Sequence, residues 1–335
     1  MSQNKQVVVK ELPQGQLGRE HFELQTVDMP SPDDGELLVK TILMSIDAAN
    51  RAWMQGATYR EAVKAGDVMH TYSIGQVVES KSDSHAVGDI VAVEARWAEH
   101  VVVKAKAAQK MPPVPVLSHL LSVFGIAGRT AYHGLVDVGR PVKGETVLVS
   151  AAAGSVGGYV GQIAKSLGCR AVGIAGSPEK CAWVKEELGF DDCIDYRAPG
   201  LFKALQAACP DGIDVYFDNV GGEILETVLF QMNERGRIAC CGAISQYDGS
   251  PPSGPRNVPG MLVVKRLRME GFIVMDFAKE AHRATKELQR LVMSGELKIQ
   301  EDIYEGLESA PDALIGLLAG NNRGKRMVRV APDPS

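Results

Sequence analysis

The chain has 335 residues, 45% hydrophobic and 23% charged, with a formal net charge of -5; this is the composition of a globular chain with room for two cores, and it excludes disorder. The negative balance excludes nucleic acid or an anionic membrane as the main partner, so any phosphate must be met by local cations. No apolar run reaches membrane-spanning length and Met1-Ser2-Gln3-Asn4-Lys5 is polar, from which a cytoplasmic protein is expected.

Up to about residue 125, short β-branched runs alternate with turn residues at 7–9, 22–27, 36–42, 74–80, 90–94 and 100–103. Short strands at such spacing predict an antiparallel barrel-like domain. From Ser118 the pattern turns helical, through Ala127, Thr130, Ala131 and Leu135 to Gly139. Strand–helix units then repeat, with strands predicted at 146–150, 170–175, 193–196, 213–218, 237–241 and 268–274 and helices near 179–188, 200–208, 223–232 and 277–293. That alternation is a doubly wound α/β parallel sheet. Residues 325–330 read as a strand without a following helix, so the chain from about 297 is expected to return to the first domain. The predicted division is 1–125 plus 297–335 and 126–296.

The most informative stretch is 146–180. A buried-type strand opens into Ala151-Ala152-Ala153-Gly154-Ser155-Val156-Gly157-Gly158, and Val156, Val160, Ile163, Ala164 and Leu167 then recur at helical spacing up to Gly168. A dinucleotide pyrophosphate needs a turn almost free of side chains, leading into a helix N-terminus. The next strand ends in Ala175-Gly176-Ser177, with no acid to hold an adenosine ribose, while Ser177 and Lys180 offer a hydroxyl and a cation. This predicts NADP(H) rather than NAD(H). Ser177 before Pro178 also reads as a helix N-cap, and both readings can hold together.

The six cysteines begin at Cys169 and show no metal spacing, so buried free thiols are expected. His70, His100 and His133 are scattered. No metal site is predicted.

Several separated stretches carry a family resemblance: Ser45-Ile46-Asp47 with Arg51 and Met54, Gly128 to Tyr132, Ala151 to Gly157, Gly176-Ser177 with Glu179-Lys180, Phe217 to Gly222, Cys241 to Ser245, Glu270-Gly271-Phe272, and Asn322 with Gly324-Lys325. On these the chain resembles the zinc-free medium-chain dehydrogenases/reductases, in the group of prostaglandin reductases, alkenal/one double-bond reductases and curcumin reductase. The resemblance implies a GroES-like catalytic domain beside a Rossmann domain, a homodimer, and NADPH-dependent reduction of the carbon–carbon double bond of enones or enals. By position it implies Gly154, Ser155, Val156 and Gly157 at the pyrophosphate, and Lys180 and Tyr196 at the adenosine phosphate. It places Asn219 beside the cofactor, Cys241, Gly242, Ala243, Ile244, Ser245, Tyr247, Phe272, Ile273 and Val274 around the nicotinamide, and Asn322 on the C-terminal return. The chain departs from the group at Ala48-Ala49-Asn50, where Asn50 would bring polarity to the pocket, and at Val258, where a Tyr is common.

Without a metal, hydride addition to the β-carbon leaves charge on the carbonyl oxygen, which needs a donor. Tyr247 is the leading candidate, with Tyr59 second; Tyr247 packing over the Gly/Pro-rich loop 248–260, read as a lid or an edge connection, is the other reading. Arg51 could polarise the carbonyl or form an ion pair. A quinone reductase and a non-catalytic NADPH-binding protein are the rival functions.

Overall fold

A computed structural model describes residues 3–248 and 254–334. The nucleotide half is built on six parallel strands in the order Asp192–Asp195, Arg170–Ala175, Thr146–Ser150, Ile213–Asp218, Met232–Cys240 and Arg268–Gly271. Thr146–Ser150 is buried throughout because helices cover both faces of the sheet: Val147 and Val149 belong to one core and Leu148 to the other. The strand order reverses between Thr146–Ser150 and Ile213–Asp218, which opens a crevice beyond their carboxyl ends.

Boundaries differ from expectation in several places. The third strand ends at Asp195, and the Tyr196 N–H still donates to the Ala175 carbonyl of the neighbouring strand at 3.0 Å as the chain turns away. The fifth begins at Met232, so the helix predicted over 223–232 stops at Leu229; a register shift beside Ile213, with Arg235 at φ 62, lets the strand start early. The sixth ends at Gly271, and Phe272 to Val274 leave the sheet before a 3-10 turn, Val274–Glu280, and the helix Ala281–Met293. The expected lid is partly a helix, Val258–Lys265, with Pro259 in its first turn where no amide partner is needed; residues 249–253 lie outside the described part.

In the other half, Glu36–Ser45 pairs with His70–Ser80, His100–Lys104 and Lys325–Arg329, all antiparallel. Within the first 125 residues the described strand pairings are antiparallel, as expected; on the return, Glu301–Glu305 runs parallel to Lys325–Arg329, because the helix Ala310–Leu318 crosses over between them. Gln3–Val9 and Phe22–Asp28 form a separate two-stranded sheet. The return is clipped to the nucleotide half where Gly324 N–H donates to the Ala153 carbonyl at 2.9 Å. Gly324 has φ 72, and a Cβ there would lie 2.2 Å from the Gln300 carbonyl oxygen, so only glycine lets the return come this close.

Candidate active site

Ala151 turns the chain at the end of Thr146–Ser150 with φ 51, a strained conformation for a residue with a Cβ. Its carbonyl oxygen then lies 2.3 Å from where a Cβ on Gly157 would sit. The helix Ser155–Ser166 therefore starts against the strand end, with Gly154 extended as its N-cap and no capping side chain in the way. On the opposite strand, the buried Asp218 carboxylate shapes the companion turn by accepting from the Val220 and Gly221 amides at 3.0 and 2.8 Å and from the Tyr216 hydroxyl at 2.8 Å. Burial still holds Asp218 above the usual carboxylate range.

Between these turns lies a cleft of about 460 Å³. Of the predicted cofactor residues it gathers Gly154, Lys180, Tyr196, Ile244, Ser245 and Asn322. A second cavity of about 230 Å³ lies between the two halves and takes Cys241, Phe272, Ile273 and Val274 on one wall, with Asp47, Asn50, Trp53, Tyr59 and Tyr72 on the other. The segment 241–245 forms part of both walls.

The remaining predicted residues fall outside the cleft lining. Ser155, Val156 and Gly157 lie behind Gly154 in the first helical turn, with the Ser155 hydroxyl buried and unpaired. Ser177 caps its helix by accepting from the Lys180 amide at 3.2 Å. Asn219 donates its side-chain amide to the Ser150 carbonyl at 2.7 Å, which ties the two strand ends together. Gly242 and Ala243 are spanned by Tyr247, whose hydroxyl accepts from the Ala243 amide at 3.3 Å. Tyr59 is half exposed and stands edge-on to Trp53.

Two assignments are corrected. Arg51 is 4% exposed and takes the ion-pair alternative in place of the carbonyl-polarising one: its Nε donates to Asp248 and its Nη2 to the Gly15 carbonyl, both at 2.9 Å. Asn50 lines the pocket, but its amide nitrogen is taken by the His70 carbonyl at 2.7 Å and its oxygen by the Asp47 amide at 2.9 Å. The polarity expected of it is consumed within the wall. Cys193, Cys240 and Cys241 are partly rather than fully buried, and all six thiols are free.

Arg197 was missed. It lines the cleft beside Tyr196 with its guanidinium 5.7 Å from that ring, and the signal was a cation immediately after the third strand. Lys180 reaches the same end of the cleft, and its Nζ donates to the Gly320 and Asn322 carbonyls at 2.5 and 2.6 Å. Burial, followed by the neighbouring charges of Arg323, Arg326 and Arg197, lowers its ammonium to about 8. Lys180 and Arg197 thus bring two cations to one end of the cleft.

A cationic end, a glycine turn and an adjoining half-apolar pocket walled by a second domain place this chain among two-domain α/β oxidoreductases that use a dinucleotide. Residues 5–111 match the model of the N-terminal domain of oxidoreductase, and residues 155–291 match that of zinc-binding dehydrogenase. The chain belongs to the medium-chain dehydrogenase/reductase family, in the prostaglandin and alkenal reductase group. It is 39% identical over 337 residues to the NADPH-dependent curcumin reductase of Escherichia coli (strain K12), covering 98% of each chain. It is 39% identical over 341 residues to the NADP(+)-dependent 2-alkenal reductase of Nicotiana tabacum, again covering 98% of each. The crystal structure of CurA from Vibrio vulnificus in complex with NADPH superposes with a TM-score of 0.94 at 37% identity, over 98% of this chain and 100% of that one.

The zinc in the family description does not fit the residues present. No group of three or more His, Cys, Asp or Glu side chains that could hold a metal occurs among the described residues. His133 is stacked on Phe277 and bonded to Asp137 at 2.7 Å, and the His70 Nε2 faces the Arg96 guanidinium at 3.4 Å, a fixed positive charge where a metal would have to sit.

Proposed function

We propose that this chain is an NADPH-dependent reductase of the carbon–carbon double bond of α,β-unsaturated ketones and aldehydes, acting without zinc. The reading rests on the continuity of the cationic cleft with the smaller pocket through residues 241–245, together with full-length likeness to reductases of that chemistry. Lys180, Arg197 and Tyr196 would hold the 2′-phosphate, the Gly154–Gly157 turn the pyrophosphate, and Ile244, Ser245 and Asn322 the walls of the cleft. The bound cofactor supplies a hydride, which the β-carbon accepts. Tyr247 donates to the carbonyl oxygen as negative charge gathers there, and the α-carbon takes its proton from Tyr59 or water. Cys241 and Phe272 to Val274 keep the reacting face dry.

The functional units are 1–125 with 297–335 and 126–296, and the protein is cytoplasmic and dimeric. Dimerisation is supported by the outer strand Arg268–Gly271, which has one partner among the described residues, and by the exposed Val263 and Val264 nearby; light scattering at a single-subunit mass would refute it.

NADPH consumption with enones, enals, quinones and simple aldehydes, with product identification, tests the activity. A saturated carbonyl product from an enone supports it; quinone-only turnover, or NADPH binding without turnover, overturns it. Tyr247→Phe is expected to lower enone turnover about 10²-fold, the usual effect of one oxyanion donor, with NADPH affinity nearly unchanged. Unchanged turnover removes Tyr247 from the reaction.

The lowered Lys180 also predicts a pH dependence. Below about 8 the ammonium is charged in the free protein, and a bound phosphate raises its pKa. Binding therefore takes up a proton at higher pH, and NADPH affinity is expected to fall by up to about tenfold per pH unit above 8. NADH, lacking the phosphate, should show a flat profile in the same fluorescence titration.

A further inference from the structure

Arg51 is freed from the catalytic role the sequence offered it, yet it is almost completely buried. It sits on the short helix Ala49–Gln55 of the barrel half, and its partner Asp248 belongs to the loop that follows Ile244–Gln246 in the nucleotide half. The Asp248 Oδ1 accepts from two donors, Arg51 Nε and the Leu17 amide, each at 2.9 Å. The second arm of Arg51 is fixed on the Gly15 carbonyl, and Gln55 Nε2 adds a bond to the Gln246 carbonyl at 3.1 Å. Three segments distant in sequence are thus knotted at one carboxylate.

The knot stands directly on the site. Asp248 follows Tyr247 in the chain, and Gln16, Leu17 and Asp248 line the same cleft as Gly154 and Lys180. Leu17 is 4% exposed and the Asp248 side chain 14%, so water screens the pair weakly. The two halves cannot separate along this wall without breaking a desolvated ion pair, and a strand-end loop tied at residue 248 cannot carry Tyr247 away from Ala243.

We propose that the Arg51–Asp248 pair is an inter-domain clasp: it positions Tyr247 and sets the rate at which the dinucleotide leaves the cleft. Arg51 is then a positioning residue that acts through Asp248. Loss of one partner of a buried, hydrogen-bonded charge pair acts mainly on dissociation. The inference rests on the cofactor reading above, and one of its readouts does not.

The test uses the full chain and three variants: Asp248→Asn, Arg51→Met and the charge-conserving Arg51→Lys. NADPH dissociation is followed by stopped-flow fluorescence, and exchange of the Leu17 amide is followed by hydrogen–deuterium mass spectrometry on cofactor-free protein. Asp248→Asn and Arg51→Met are expected to speed NADPH dissociation about 5- to 30-fold, which is the effect of one or two kcal/mol, and to raise Leu17 exchange by a similar factor. Arg51→Lys should lie between them and the unaltered protein. With a 2-alkenal, KM for NADPH should rise more than kcat falls, a split that general destabilisation does not produce. Dissociation and Leu17 exchange both unchanged in Asp248→Asn would overturn the clasp. If the unaltered protein holds no NADPH, the cofactor reading fails by itself, and the Leu17 exchange still decides whether the pair closes the wall.

Discussion

Lys180→Ala is expected to weaken NADPH binding about 10- to 100-fold, the range for a lost hydrogen bond to a charged group, and to leave NADH within about twofold once the structural part of the change is removed. That structural part is real, because Lys180 also bonds the Gly320 and Asn322 carbonyls and so helps hold the C-terminal return on the cleft. Lys180→Met keeps the aliphatic stem but loses both of these bonds as well, so the structural part is read from NADH, whose affinity should fall by that part alone while NADPH falls further. The measurement is the ratio of the two dissociation constants at low salt and pH 7, where the ammonium is charged. Arg197 remains as a second cation, so binding should be weakened rather than abolished, and Lys180→Met with Arg197→Met should fall further than either alone. Equal weakening of NADPH and NADH would show that the phosphate lies elsewhere.

Gly157→Ala is the second large effect. The added methyl would lie 2.3 Å from the Ala151 carbonyl oxygen and 2.9 Å from its carbon, both backbone atoms that no side-chain rotation can move. The helix Ser155–Ser166 must back away from the strand end by about an ångström, and displacement of that order at a binding site costs about 10²-fold. A loss of dinucleotide affinity of about that size is expected, with a fall in Tm of several degrees from the overpacking. Gly158→Ala is the control. Its methyl would meet Leu188 Cδ1 at 3.2 Å, the end of a flexible side chain, and should be nearly silent. If calorimetry with NADPH finds Gly157→Ala as tight as the parent, the close approach of helix and strand is not what the turn is for.

Gly157 and Lys180 both stand out in the linear chain. Gly157 is legible because a side-chain-free turn between a strand and a helix has few other purposes, and Lys180 because the strand preceding it ends without an acid. The clasp is not legible. Arg51 and Asp248 are 197 residues apart, and nothing local to either says that they meet; the same holds for Lys325, 2% exposed, whose Nζ bonds Asp47 at 2.6 Å across 278 residues. Asn50 misleads for a related reason. A polar side chain beside a pocket reads as a ligand group until its own backbone neighbours are seen to satisfy both ends of its amide.

Local order also sets where boundaries depart from expectation. The strand ends that agree, such as Ile213–Asp218, are closed by their own turn residues, whereas Met232–Cys240 and Arg268–Gly271 are bounded by pairing with neighbours and by a shift of register. Pairing is a tertiary event and leaves no periodic trace. The sequence alone determined the α/β class, the order of strands and helices, the glycine turn and the cationic preference for a phosphorylated dinucleotide, because each depends on spacing within about thirty residues. Only the tertiary structure decided which walls face the two cavities, that Arg51 pairs with Asp248 of the other half, and that Arg197 joins Lys180, because each depends on side chains that the folded backbone alone brings within hydrogen-bonding or electrostatic reach.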